Sequence, residues 1–439
     1  MRTQLFQVST LYGAATLAAA LDAGQFGPRD HARRLLLVSN NAEIPETALR
    51  LAEMTGYDAI AARFDGVIDW NDAIRPHHPG TWSPRPEEAP LWQRVFRTAW
   101  DLDDAPVELI VESIQVNPAR ALAAAFAESS IQVYADGLMS YGPTRDDLPQ
   151  SIACRIHRLL HLDLVPGLRP MLLTEYGVEA ELVPDAAFRR VLSEIAAAAE
   201  GDPQVERAVA AAPTALLLGQ YLAALGILTA DEEEELHVRM LRSAAEAGHD
   251  SVVFKPHPTA PARYSLALNE AAEAAGVRLT VLDGPLLAET FYERCRPKLV
   301  VGCFSTAMLT ASVYYEVPVA RVGTRTVLER LTPYENSNRV PLTVVDHLVP
   351  DLEGGETPAV PGAAPDTLAP LVRAVGYCMR PTSHPALRDE VAGLLLDLAR
   401  DERTAHCFPR ERLTELGLQG GTVPRQRSRL RRGLVRAGR

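Results

Sequence analysis

The stretch Ser251-Val252-Val253-Phe254-Lys255-Pro256-His257-Pro258 limits the possible folds of this chain more than any other. Val252, Val253 and Phe254 follow one another with no polar alternation, the pattern of a strand buried on both faces of a parallel sheet. Pro256 and Pro258 have no backbone N–H, so ladder pairing stops and the chain turns outward. Lys255 and His257 are therefore expected at a strand's carboxyl end, where open α/β sheets bind their ligands. A cation and a titratable imidazole there suit a phosphate that departs with developing negative charge. The bland counterpart is a strand end whose polar residues face solvent.

Similar runs recur along the first half. Residues 4–9 read as a strand and 13–23 as a helix, with Ser9, Thr10 and Gly13 in the turn between, where small residues let a ligand approach a helix N-terminus. No G-x-G-x-x-G accompanies them, so the dinucleotide fingerprint is missing. Residues 34–40 read as a second buried strand ending in polar Asn40; 107–113, with Glu112 near the end, and 131–135 read as two more. Strand and helix alternate, which implies mainly parallel sheet covered on both faces. A basic helix is expected around Arg155, His157 and Arg158. An alanine-rich helical stretch over 185–212 separates this half from a second α/β unit.

That unit begins with a strand over 215–218 ending in Gly219. Thr229 and Glu232 form a capping box that opens the next helix, and the acidic run 232–235 reads as a solvated face. After the opening stretch, a strand over 298–301 runs into Gly302-Cys303-Phe304-Ser305-Thr306. Ser305 and Thr306 then sit at a helix start, where free amides, the helix dipole and two hydroxyls make an anion site; the alternative is an ordinary N-cap. Back in the first half, Asp136-Gly137 follows a strand directly. Asp136 is placed to act as a general base, or else caps a turn for which Gly137 supplies freedom. Arg321, Arg325 and Arg330 follow a last strand and either hold an acidic group or face solvent.

Composition excludes several classes. The chain has 439 residues and a formal charge of −12, which argues against nucleic-acid binding by its body. Seven arginines and no acid fall in 425–439, leaving 37 basic against 56 acidic residues elsewhere. Five scattered cysteines without C-x-x-C spacing argue against a zinc ribbon or disulfide scaffold and fit a reducing cytoplasm. No run of 18 apolar residues suggests a spanning helix, and 11–21 reads as a core helix. The Pro/His/Trp-rich stretch 74–90 reads as a packed loop and Asp101-Leu102-Asp103-Asp104 as a helix end, so no metal site is expected.

Asp136-Gly137, then Lys255-Pro256-His257-Pro258, then Ser305-Thr306, in that order, resemble the motifs of the bacterial sialyltransferases and most of all the polysialyltransferase-like group. The resemblance covers the organisation of about residues 1–350. It implies a GT-B fold of two Rossmann-like domains facing a cleft. The expected division is an acceptor-side domain at 1–185, a connection at 186–212, a nucleotide-sugar domain at 213–350, and a C-terminal loop and helices packing back at 351–424. A basic tail at 425–439 would allow peripheral contact with the inner face of a membrane. The implied activity is inverting, metal-independent transfer of sialic acid, without a cofactor, from CMP-sialic acid to a glycan acceptor in polysaccharide biosynthesis. His257 and the Ser305–Thr306 pair would bind the CMP phosphate, with Lys255, Pro258 and Gly302 around them, and Asp136 would be the base. Ala135 stands where the family carries a first acidic residue. Asp136 or Glu112 then takes that role, or the protein binds nucleotide or glycan without turnover. A transferase using CMP-Kdo or another activated sugar is the other alternative.

Overall fold

The computed structural model describes residues 2–257 and 263–421. Pro258 and the arginine-rich stretch 425–439 lie outside the described residues. Among the described residues twelve strands form two sheets, and each pairing between strands is parallel. The first comprises β1 (Arg2–Val8), β2 (Ala32–Val38), β3 (Gly66–Asp69), β4 (Val107–Val111), β5 (Ser130–Ala135), β6 (Ile156–His161) and β7 (Glu179–Leu182), in the order β3-β2-β1-β4-β5-β6-β7. The second comprises β8 (Ala215–Leu218), β9 (Ser251–Lys255), β10 (Arg278–Val281), β11 (Leu299–Gly302) and β12 (Val319–Arg321), in the order β10-β9-β8-β11-β12. This is the GT-B arrangement expected from the sequence. Strand order reverses beside β1 in one sheet and beside β8 in the other, and at such switch points a crevice opens outside the strand ends.

The central strands form where apolar runs are continuous: β8 and β11 are buried throughout, and β9 up to Phe254. The edge strands β3 and β7 escape the sequence reading because they alternate or lie open to solvent, leaving no apolar run. The expected basic helix around Arg155–Arg158 is a correction. Residues Ile156–His161 pair with β5 and β7 as β6, and Arg158 reaches Gln132 at 2.6 Å and Glu181 at 2.7 Å across its neighbours. Charged groups in that strand are satisfied by adjacent strands, so they do not demand a solvated helix.

Two more expectations are overturned. Glu233 lies within the acidic run but is 1% exposed, its carboxylate accepting the amides of Leu222 and Ala223 at 2.9 Å each. Arg321 neither faces solvent nor reaches a ligand site. It is buried in β12, bonded to the Val349 carbonyl at 3.0 Å and paired with Asp346 and Asp351.

Helices Asp185–Ala198 and Pro203–Ala211 join the two sheets. Phe188 on the first of them stacks edge-on against Tyr12 of helix Leu11–Asp22 and Tyr314 of helix Thr306–Tyr315, with centroids 5.3 Å apart in both pairs. Tyr12 and Thr310 also share a hydroxyl hydrogen bond of 2.9 Å, so the helix after β1 touches the helix after β11 directly. Helix Leu368–Met379 crosses back onto the first half, where an added Cβ at Gly376 would meet Met171 Sδ at 2.7 Å. Among the described residues no helix is long and apolar enough to cross a membrane.

Candidate active site

The carboxyl ends of both sheets open into one cleft of about 450 Å³. Glu112 and Asp136 line it from the first sheet; Gly219, His257, Ser305 and Thr306 line it from the second. The two sides come close. An added Cβ at Gly137 would lie 3.0 Å from Thr306 Oγ1, so glycine is what lets these tips approach.

On the first side the strand tips are tied by one residue, Gln7 near the end of β1. Its side-chain Oε1 accepts the Glu112 amide at 3.1 Å, its Nε2 donates to Ser39 at 3.4 Å, and its backbone carbonyl accepts the Tyr134 hydroxyl at 3.1 Å. Four neighbouring strands are thereby held in register where they end. The Glu112 carboxylate accepts the Ser9 hydroxyl at 2.6 Å and the Ser9 amide at 3.0 Å. Asp136 lies against the first turn of helix Leu11–Asp22, whose N-cap Thr10 accepts the Gly13 amide. An added Cβ at Gly13 would lie 3.2 Å from Asp136 Oδ2, so the absent side chain makes room for the carboxylate. Burial raises the pKa of both carboxyls, and the charge of Asp136 raises that of Glu112 further. Desolvation and mutual repulsion together let the pair keep a proton to higher pH than free carboxyls do.

On the other side, Ser305 is the N-cap of helix Thr306–Tyr315, its hydroxyl oxygen accepting the Ala307 amide at 3.2 Å. An oxygen that accepts an amide can still donate its own O–H, so the ordinary N-cap role and an anion-binding role are compatible here. His257 stacks on Tyr221 with ring centroids 4.0 Å apart. Burial, then the charge of Lys255, lowers the His257 pKa to about 4, so the ring is neutral at neutral pH. Burial likewise lowers the pKa of Lys255 and raises that of Glu289 to about 7, each partly offset by the other's charge. Of the two, Lys255 is the one whose charge acts on His257.

The loop after β8 is held from beneath by helix Ala230–Glu246. Glu233 takes the two loop amides already described, and His237 Nε2 accepts the Gln220 amide at 2.9 Å. The loop is pressed onto the His257 turn: an added Cβ at Gly219 would lie 2.8 Å from Pro256 Cα and 2.9 Å from His257 N. Backbone atoms cannot rotate aside. Gly219→Ala is therefore expected to cost about 1–3 kcal/mol of stability, as overpacking does, and to shift the His257 ring. Thermal unfolding and NMR of the His257 ring protons test this; an unchanged Tm with an unmoved ring contradicts it.

The cleft thus collects Glu112, Asp136, Gly137, Gly219, His257, Ser305 and Thr306, half of the site residues singled out from the sequence. Ser9, Thr10 and Gly13 stand directly behind the carboxyls. Gly302 does not line the cleft: it ends β11, where Met308 packs so closely that an added Cβ would meet Sδ at 2.8 Å. Asn40 belongs elsewhere, in a separate surface cleft, where it bonds Asn71. Sequence reasoning missed Tyr221, Gln7, Glu233 and His237. The last two are four apart on one helix face, a spacing that marks a shared direction.

A family model described as alpha-2,8-polysialyltransferase matches residues 4–324. No curated protein matches the chain. Solved structures similar to it include a sialyltransferase from Photobacterium damselae, at 11% identity and TM-score 0.41, covering 79% of this chain and 96% of that one. The UDP-GlcNAc 2-epimerase from Neisseria meningitidis bound to UDP-GlcNAc is similar at 12% identity and TM-score 0.44, covering 73% and 82%. S. aureus MnaA in its UDP co-structure is similar at 12% identity and TM-score 0.39, covering 79% and 87%.

Proposed function

Because the chain belongs to the alpha-2,8-polysialyltransferase family and is a glycosyltransferase of GT-B fold, we propose that it moves a sialic acid, or a related nonulosonic acid, from a CMP-sugar to a glycan hydroxyl. The observation that carries this reading is one cleft lined by a carboxyl pair from one sheet and a phosphate-suited set from the other. Ser305, Thr306 and the amides at that helix start donate to the CMP phosphate. His257 donates from a ring N–H, and Lys255 contributes field from behind. Asp136, coupled to Glu112, accepts the proton of the attacking hydroxyl. The acceptor oxygen bonds to the anomeric carbon as the carbon–oxygen bond to phosphate breaks, its electron pair leaving with CMP. Base and leaving group on facing walls suit one in-line displacement, hence inversion. The work is positioning and anion stabilisation, which these side chains supply without a metal ion.

A thermal-shift comparison of CMP, UDP, GDP and ADP tests the donor. CMP at saturating concentration is expected to raise Tm by a few degrees, the other nucleotides by much less. CMP release from CMP-Neu5Ac in the presence of acceptor is expected to survive EDTA. Stabilisation by UDP in place of CMP, or loss of turnover with EDTA, contradicts the assignment.

A further inference from the structure

The loop that follows β8 is fixed along almost its whole length. Gly219 donates its amide to the Lys255 carbonyl at 2.8 Å, and Gln220 Nε2 donates to the Leu218 carbonyl at 3.1 Å. The amides of Gln220, Leu222 and Ala223 go to His237 and Glu233, as described above. Those two acceptors are themselves held. Glu233 accepts the buried Tyr264 hydroxyl at 3.1 Å, and His237 packs against Phe254 and Tyr264 at centroid distances of 5.2 and 5.3 Å. Burial lowers the His237 pKa to about 4, so Nε2 stays unprotonated and keeps accepting.

One side chain of this loop leaves the interior. Gln220 and Leu222 are buried, whereas Tyr221 is 39% exposed and lines the cleft between the sheets. Its ring lies on that of His257, with centroids 4.0 Å apart and planes 20° from parallel. A brace of buried side chains under a loop whose only outward group is one aromatic ring fixes the place of that ring. Stacking covers a face of the imidazole and restricts its rotation, while the ring nitrogens, which lie on the edge, are left to meet a ligand. As CMP departs, its phosphate draws the His257 proton closer to sharing and the imidazole gains positive character. The electron-rich face of a tyrosine attracts positive charge. That attraction is stronger in the transition state than before it, so it belongs to kcat.

We propose that Tyr221 is a positioning residue for the transfer: it holds the His257 ring edge-on to the donor phosphate and acts on the reaction only through that ring. The inference rests on the phosphate-site reading of His257 above.

Steady-state CMP release from CMP-Neu5Ac, with an α-2,8-linked sialic acid oligomer as acceptor, tests this in the full-length protein. Tyr221→Ala is expected to lower kcat about 10-fold and to leave KM for CMP-Neu5Ac within about twofold. Tyr221→Phe, which keeps the ring and omits the hydroxyl, is expected to recover most of that loss. In a His257→Ala background, Tyr221→Ala should cost nothing further, because the ring it orients is gone. Three results overturn the proposal: an undiminished kcat in Tyr221→Ala, a loss in Tyr221→Phe as large as in Tyr221→Ala, or a full further loss in the double variant. The single His257→Ala variant separates the failures. If it keeps its kcat, or if the unaltered protein releases no CMP, the phosphate-site reading falls as well; if it loses activity, only the role of Tyr221 does.

Discussion

His257→Ala is expected to lower kcat by about 10²–10³-fold, the loss typical when one donor to a developing anion is removed. The ring lines the cleft together with Ser305 and Thr306 and is clamped by Tyr221. Burial and Lys255 hold its pKa to about 4, so at neutral pH it donates one hydrogen bond and carries no charge of its own. A bound phosphate opposes both causes and draws a proton onto the ring. Donor binding should therefore take up protons and tighten as pH falls from 7 towards 5, an effect absent from the alanine variant. Calorimetry of CMP binding in buffers of different ionisation enthalpy measures that uptake. Undiminished kcat in His257→Ala contradicts the assigned role.

Asp136→Asn should be at least as damaging, costing about 10²–10⁴-fold in kcat, the usual contribution of a positioned base. The base works deprotonated, so activity is expected to rise with pH. With Asp136 raised to about 6 and Glu112 to about 7, mainly by burial, the rise belongs between those values. Glu112→Gln removes the neighbouring negative charge, which lets Asp136 ionise more easily and moves the rise to lower pH. A pH–rate profile of each variant decides between the two carboxyls. If Glu112→Gln abolishes turnover and Asp136→Asn only shifts the profile, Glu112 is the base and the roles exchange.

The parts of the molecule legible in the sequence share one physical character. Strands β8, β9 and β11 lie inside a sheet covered on both faces, so their residues form unbroken apolar runs, and Gly219, Pro256 or Ser305 marks where each gives way to a turn or a helix. The three landmarks stand at or just beyond such ends, which is why their convergence could be expected. The edge strands β3 and β7 lack that signature, and β6 hides it behind Arg158, whose charge is answered by Glu181 on the next strand. The supports of the site were equally hidden. In the run Glu232–Glu235 composition is uniform, and only the helical period shows that Glu233 shares a face with Leu236, His237 and Met240. Gln7 looks like any polar residue within a strand; its function depends on groups more than a hundred positions away in the chain. Asn40 stands after a similar buried strand, yet the sheet delivers it to a different hollow, because β2 lies beyond β1 from the carboxyl pair.

The adjacency of β4 and β5 has a consequence for how this lineage can change. In a sheet whose strands all run one way, their final residues assemble along a common rim whatever the chain length between them. Glu112 and Asp136 therefore occupy neighbouring berths although a whole helix separates them in sequence. With Ala135 as the last residue of β5, the rim still presents two carboxyls, one from each strand end. Relatives of this protein are better sought by the tally of acids around that rim than by any two consecutive letters.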